Sequence, residues 1–118
     1  MEYKHESTNE FLRIYANNID NKDRAGFIRA SPSNCCIDIL DVERNYRGLG
    51  IGTHLLRQME RKMKEAGCNT VNVKVGRSDS FTDPPFSFYE KNGYKHSHPW
   101  WKRVVWPFLN WEMYKNLE

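Results

Sequence analysis

The chain has 118 residues, the length of one domain, which leaves no room for a second independent core. Eighteen Lys and Arg against fifteen Asp and Glu leave a net charge of +3, too small an excess to make nucleic acid or a membrane surface the main partner. Charged residues at 28% and apolar ones at 39% exclude a disordered chain, and no apolar run approaches the roughly 20 residues that span a bilayer.

The opening Met1-Glu2-Tyr3-Lys4-His5-Glu6 has no apolar segment that could act as a secretion signal. Phe11 to Ala16 is rich in aromatic and branched residues, ends at the turn signal Asn17-Asn18, and reads as a strand. Gly26 to Ala30 reads as a second strand, stopped by Ser31-Pro32. Cys35 to Val42 is a third, apolar on both faces for much of its length, as a strand inside a sheet would be. The three cysteines cannot all pair, and Cys35 and Cys36 are adjacent. That argues against a disulfide framework and for a reduced, cytoplasmic protein.

Leu49 to Ala66 has helical periodicity. Ile51, Leu55, Met59 and Met63 recur every four residues, Leu56 and Ala66 widen the stripe, and Gly67 supplies a stop. The apolar stripe is read as core packing and the basic face opposite as solvated surface. Thr70 to Val75 alternates strictly and reads as a strand. Asp83-Pro84-Pro85 opens a shorter helix, with Asp83 as its cap and Pro84 at its first position, carrying Phe86, Phe88 and Tyr89 to a stop at Asn92-Gly93. Tyr94 to Leu117 holds all four tryptophans and is expected to form a hairpin turning near Trp106-Pro107. The order β-β-β-α-β-α-β-β over residues 1–118 is that of a single α/β or α+β domain.

Chemistry concentrates where the third strand meets the long helix, at Val42-Glu43-Arg44-Asn45-Tyr46-Arg47-Gly48-Leu49-Gly50-Ile51-Gly52-Thr53. Glycine costs up to about 1 kcal/mol per helical site relative to alanine, so three of them at a helix start need a compensating gain. A helix N-terminus presents unpaired N–H donors and a partial positive charge, and removing side chains lets an anion reach that backbone. Arg47 adds a formal charge beside it. These features point to a phosphate or pyrophosphate site, the alternative being a glycine-rich turn without a ligand. The dinucleotide fingerprint GxGxxG fails in both registers, ending on Thr53 or on Leu55, and GxxxxGK[ST] is absent.

Arg47-Gly48-Leu49-Gly50-Ile51-Gly52 matches R/Q-x-x-G-x-G/A and resembles the pyrophosphate signature of the GNAT superfamily of acetyl-CoA-dependent N-acetyltransferases. Phe88-Tyr89-Glu90-Lys91-Asn92-Gly93-Tyr94 is similar to that family's second motif, and Met113 to Leu117 to its last strand. The resemblance covers roughly residues 9 to 118. It implies a mixed, mostly antiparallel sheet with two flanking helices, and acetyl-CoA rather than a metal as the required partner molecule. It further implies that the pantetheine arm enters a gap between the strands on either side of the long helix. Val42 would hold that arm through its backbone, and the backbone of Arg47, Gly48, Leu49, Gly50, Ile51, Gly52 and Thr53 would line the pyrophosphate.

By the same resemblance, a neutral amine attacks the thioester directly and Tyr89 protonates the departing thiolate, with positioning and oxyanion donors carrying much of the catalysis. The family's glutamate base falls on Cys36 here. Asp38 is therefore the candidate base, with Asp41, Glu43 or a water chain as alternatives. Thr82 stands where many members have a cofactor-contacting Asn. The family's first strand is usually followed by two helices that wall the acceptor groove. Too few residues precede the first clear strand to supply them, so the groove is expected to be open or completed by a second subunit. The acceptor is an amine-bearing small molecule or protein. A non-catalytic acyl-CoA-binding or regulatory domain of the same fold is the alternative, and a small nucleic-acid-binding protein a third reading.

Trp100, Trp101, Trp106, Phe108 and Trp111 with Lys102 and Arg103 read either as an acceptor or dimer surface or as residues covering the sheet. His96 and His98 share a strand face, but no further ligand nearby completes a metal site.

Overall fold

The computed structural model describes residues 1–75, 86–96 and 111–117. Among them are strands β1 (Glu2–Ser7), β2 (Leu12–Asn17), β3 (Arg24–Ser31), β4 (Cys36–Val42), β5 (Thr70–Val75), β6 (Lys95–His96) and β7 (Trp111–Asn116). A 3-10 turn over Arg44–Tyr46 and helix α1 (Ile51–Glu65) lie between β4 and β5, and helix α2 (Phe86–Lys91) precedes β6. One sheet takes all seven strands in the order β1-β2-β3-β4-β5-β7-β6. Every neighbouring pair is antiparallel except β4 and β5, which run parallel.

The expected fold class is found, with one strand more than the expected order. β1 has the sequence EYKHES, lies at the sheet edge and is exposed except at Tyr3, so it carries no apolar alternation to betray it. It joins β2 through residues 8–11, closed by Thr8 N–H to the Phe11 carbonyl at 2.9 Å. The strand read as third is thus the fourth, and a four-residue turn stands where the family's two helices would be inserted. Asp83, Trp100, Trp101, Trp106, Phe108 and the turn at Trp106-Pro107 lie outside the described residues.

The core forms between α1 and one face of the sheet. Ile51, Leu55, Leu56, Met59 and Met63 of α1 meet Ile14, Ala16, Ile28, Ala30, Ile37, Val71, Val73 and Met113, all buried. Ala66, expected on the stripe, is instead the exposed C-cap. Glu60 is buried on the helix's inner side, where Tyr94, just before β6, and Lys115 of β7 reach it. The Tyr94 hydroxyl donates to Glu60 Oε2 at 2.7 Å and Lys115 Nζ donates to Oε1 at 3.0 Å. Burial, then the adjacent Glu60 carboxylate, holds the Tyr94 phenol well above its ordinary pKa. No helix among the described residues is long and apolar enough to cross a membrane.

Cys35 and Cys68 are disulfide-bonded, contrary to the expectation of three free thiols. The bond was hidden by a sequence separation of 33 residues. β4 and β5 are parallel neighbours, so the crossover through α1 returns the chain to the end of the sheet at which β4 began. The turn before β4 and the turn after α1 therefore meet, with Cα atoms 5.8 Å apart. Closing a loop of that length contributes about 4 kcal/mol in the chain-entropy treatment. Cysteine usage consequently offers no argument for a reducing compartment. Cys36 remains a free thiol.

Glu60→Ala is expected to cost about 2–4 kcal/mol, because it leaves a buried phenol and a part-buried ammonium without their acceptor. Tyr94→Phe should cost about half as much. Urea unfolding of both variants checks the ordering.

Candidate active site

Parallel pairing between β4 and β5 ends almost as soon as it begins. Only Cys36↔Asn72 and Ile37↔Val73 are in register, preceded by Asn72 N–H to the Cys35 carbonyl at 2.9 Å. Beyond Ile37 the two strands share no rungs, although β4 continues to Val42 and β5 to Val75. The cause lies on the other side of β4. Consecutive Arg29 and Ala30 of β3 face Ile39 and Ile37, so Asp38 is an extra, bulged residue. A bulge bends its strand and increases local twist, which here turns β4 away from β5.

The gap leads to the start of α1. Glu43 N–H donates to the Ala25 carbonyl of β3 at 2.7 Å, so by alternation the N–H and carbonyl of Val42 face away from β3, into the gap. The Val42 carbonyl accepts from Arg47 Nε at 3.0 Å. The Arg47 amide closes the 3-10 turn on the Arg44 carbonyl at 3.3 Å, so this residue offers the gap its guanidinium rather than its N–H. The loop is braced from outside, because Asn18 in the β2–β3 turn donates to the Tyr46 hydroxyl at 3.3 Å.

From Gly48 to Thr53 the backbone N–H groups meet no acceptor among the described residues, and the first helical bond is His54 N–H to the Gly50 carbonyl at 3.0 Å. Gly50 is the N-cap with φ +80°, no side chain caps the helix, and the first turn has no acidic residue. Gly48 is likewise left-handed at φ +81°. A Cβ at Gly48 would meet nothing within 4 Å, so backbone conformation rather than crowding selects glycine there. Gly52 differs. A Cβ there would stand 3.3 Å from Phe88 Cζ and 3.6 Å from Val42 Cγ2, so α1, α2 and β4 converge on it. Ile51 is buried, whereas Leu49 is 68% exposed beside the free N–H groups. This electropositive cradle, with no capping side chain among the described residues, suits a pyrophosphate.

Tyr89 lies on α2, 5% exposed, edge-on to Phe88 at 5.2 Å and to Tyr94 at 5.5 Å. Desolvation pushes its pKa up to about 12. Its hydroxyl has no hydrogen-bond partner among the described residues.

Asp38 occupies the other face. Its partners Arg29 and Ser31 alternate with the buried Ile28 and Ala30, so they project away from α1. Ser31 Oγ donates to Asp38 Oδ2 at 2.9 Å, and Arg29 Nε lies 3.8 Å from the same oxygen. Burial, and then Asp38, push the Cys36 thiol pKa upward, with Lys74 and Glu112 as further charged neighbours. The structure thus groups Asp38 with Arg29, Ser31 and Cys36, and Tyr89 with Phe88 and Tyr94, without contact between the two sets. Arg29 and Ser31 escaped the sequence reading, though their place opposite β4 in an alternating strand was a usable signal. Asp41 and Glu43 are exposed. Thr82 and His98 lie outside the described residues, and His96 Nε2 sits 2.8 Å from Glu90 Oε1. No group of metal-binding side chains occurs among the described residues.

Residues 9–96 match the family model for the acetyltransferase (GNAT) domain. Among solved structures, the PaiA N-acetyltransferase of Thermoplasma acidophilum, in complex with coenzyme A, is 25% identical with a TM-score of 0.69 over 92% of this chain and 62% of that one. An aminoglycoside 6'-N-acetyltransferase complexed with coenzyme A is 25% identical with a TM-score of 0.70 over 92% and 73%. A Bacillus anthracis protein solved with acetyl coenzyme A shares the fold at 19% identity and a TM-score of 0.72 over 94% and 65%. The chain thus spans about two thirds of the length of these proteins.

Gly50→Val places a branched residue at φ +80°, a conformation costing about 1–3 kcal/mol, and narrows the cradle. It is expected to abolish the melting-temperature rise caused by coenzyme A while leaving the circular dichroism spectrum intact. Tyr89 makes a separate prediction. Its folded-state pKa exceeds the ordinary 10.0, so the folded protein retains a proton that the unfolded chain loses. That contribution to stability is complete below pH 10 and disappears as pH rises toward 12. Thermal melts between pH 8 and 12 should show the fall, reduced in Tyr89→Phe.

Proposed function

This chain belongs to the GNAT acetyltransferase family, and from that premise we propose that it moves an acetyl group from acetyl-CoA to a primary amine. The observation that carries the proposal is the unpaired gap between β4 and β5, which ends on the uncapped N-terminus of α1. An extended polar arm bearing a pyrophosphate fits both ends at once. The backbone of β4 beyond Ile37 would hold the arm, and the N–H groups from Gly48 to Thr53 would hold the phosphates.

When bound, acetyl-CoA supplies a thioester whose carbonyl carbon accepts the lone pair of an amine. The chain's own residues do the rest. Val42 N–H holds the arm in register with β4, and the Arg47 terminal nitrogens add charge beside the cradle. Tyr89 keeps its proton throughout the neutral range, so at the sulfur end of the gap it would donate to a departing thiolate, a far stronger base than the thioester. Asp38, on the opposite sheet face, would accept the amine's proton directly or through water. Ser31 and Arg29 fix its carboxylate. Acid and base on opposite faces of one gap would allow the two proton transfers without neutralising each other.

The acceptor in this reading is a small molecule or protein with an amine. The four-residue β1–β2 turn leaves the acceptor side without an inserted helical wall, and a second subunit completing that side belongs to the same proposal.

Acetyl-CoA at 100 times its dissociation constant is expected to add about 2.7 kcal/mol of stability. Tyr89→Phe should then lower kcat by roughly 100-fold with an unchanged coenzyme A dissociation constant. No thermal shift removes the acetyl-CoA reading. A shift without turnover across a panel of amines leaves a non-catalytic acyl-CoA-binding domain.

A further inference from the structure

The disulfide sits at the closed end of the cofactor gap. Cys35 immediately precedes β4, and Cys68 stands two residues before β5. Between these strands only Cys36↔Asn72 and Ile37↔Val73 pair, so direct β4–β5 bonding between the two halves of the sheet is confined to the apex beside the bond. The covalent ring from Cys35 to Cys68 encloses β4, the glycine loop and all of α1. Every N–H group of the phosphate cradle lies inside it. We propose that the Cys35–Cys68 bond is a redox clamp on the cofactor site: the oxidised form holds the fork between β4 and β5 in its binding geometry, and reduction loosens it and weakens coenzyme A binding. The proposal rests on the acetyl-CoA reading above.

Three local features suit a bond that forms and breaks. Cys35 takes the left-handed φ of +49°, a conformation that a non-glycine residue holds only when its surroundings enforce it. The Pro32 carbonyl lies 3.6 Å from the Cys35 sulfur and 3.4 Å from the Cys68 sulfur. Neither sulfur carries a proton when bonded, but on reduction a thiol finds an acceptor already in place, so both redox forms satisfy their polar groups. Finally, the adjacent Cys36 thiol is held protonated by burial and by Asp38, which makes it a poor nucleophile toward its neighbours' bond. Oxidation removes one proton and one electron from each of the two thiols. A low-molecular-weight disulfide such as oxidised glutathione accepts the two electrons by successive exchange and leaves as two thiols. Reduction is the reverse, driven by a dithiol.

The test uses one preparation of the full chain, oxidised with glutathione disulfide, then reduced with dithiothreitol and reoxidised. Under denaturing conditions without reductant, one thiol is expected to titrate in the oxidised form and three in the reduced form, with none in oxidised Cys36→Ser. Coenzyme A titration by calorimetry should give a dissociation constant at least fivefold larger for the reduced protein, restored on reoxidation. The double variant Cys35→Ser/Cys68→Ser should match the reduced protein and ignore dithiothreitol. Should that variant fail to fold, the reversible cycle on the natural chain still decides. Three thiols titrating after oxidation, or equal dissociation constants in the two forms, would overturn the clamp while leaving coenzyme A binding intact. Failure of both forms to bind coenzyme A would overturn the clamp together with the acetyl-CoA reading.

Discussion

Among the described residues, two rungs of parallel pairing join the two halves of this sheet. Backbone N–H and carbonyl groups are obligatory hydrogen-bonding groups, and a strand that loses its neighbour within a sheet needs another partner. β4 stays paired with β3 to Val42 on one side, interrupted only at Asp38, yet after Ile37 it has no β5 rungs among the described residues on the other. The bulge at Asp38 produces that asymmetry and also turns the Asp38 carboxylate toward Ser31 and Arg29. One inserted residue therefore opens the gap and orients the candidate base.

The phosphate end of the gap depends on a second incompleteness of the same kind. A helix start ordinarily recruits a Ser, Thr, Asp or Asn cap, and α1 has none. Its neighbours decide what the free N–H groups can reach. Tyr46 is tied to Asn18, the Arg47 side chain to Val42, and Gly52 is wedged against Phe88 and Val42. The loop is thus braced at its sides, and the N–H groups from Gly48 to Thr53 meet no acceptor among the described residues.

Stability is gathered away from these open edges. The α1–sheet core, the buried Glu60 with Tyr94 and Lys115, and the Cys35–Cys68 bond all brace the framework around the gap. Glu60 links α1 to β6 and β7, whereas the disulfide links the two turns at the gap's closed end. The long helix therefore has the glycine loop at its uncapped start and both half-sheets fastened to its body.

Local signals in the chain were enough for the elements that follow one period and bury one face. The four-residue recurrence from Ile51 to Met63 and the alternation from Thr70 to Val75 produced α1 and β5, and the glycines before α1 marked its start. β1 was illegible because an exposed edge strand has no hydrophobic pattern to keep. The burial of Glu60 had no local signal, since its partners come from residues 34 and 55 positions later. Sequence alone determined the glycine-rich helix start without a side-chain cap, because missing caps and missing side chains are properties of a short contiguous segment. Only the tertiary structure decided that Cys35 meets Cys68, that Asp38 is a bulge beside Arg29 and Ser31, and that Gly52 receives Phe88. Each of these is a meeting between segments, and it is the parallel return of the chain through α1 and the register of the strands that set such meetings.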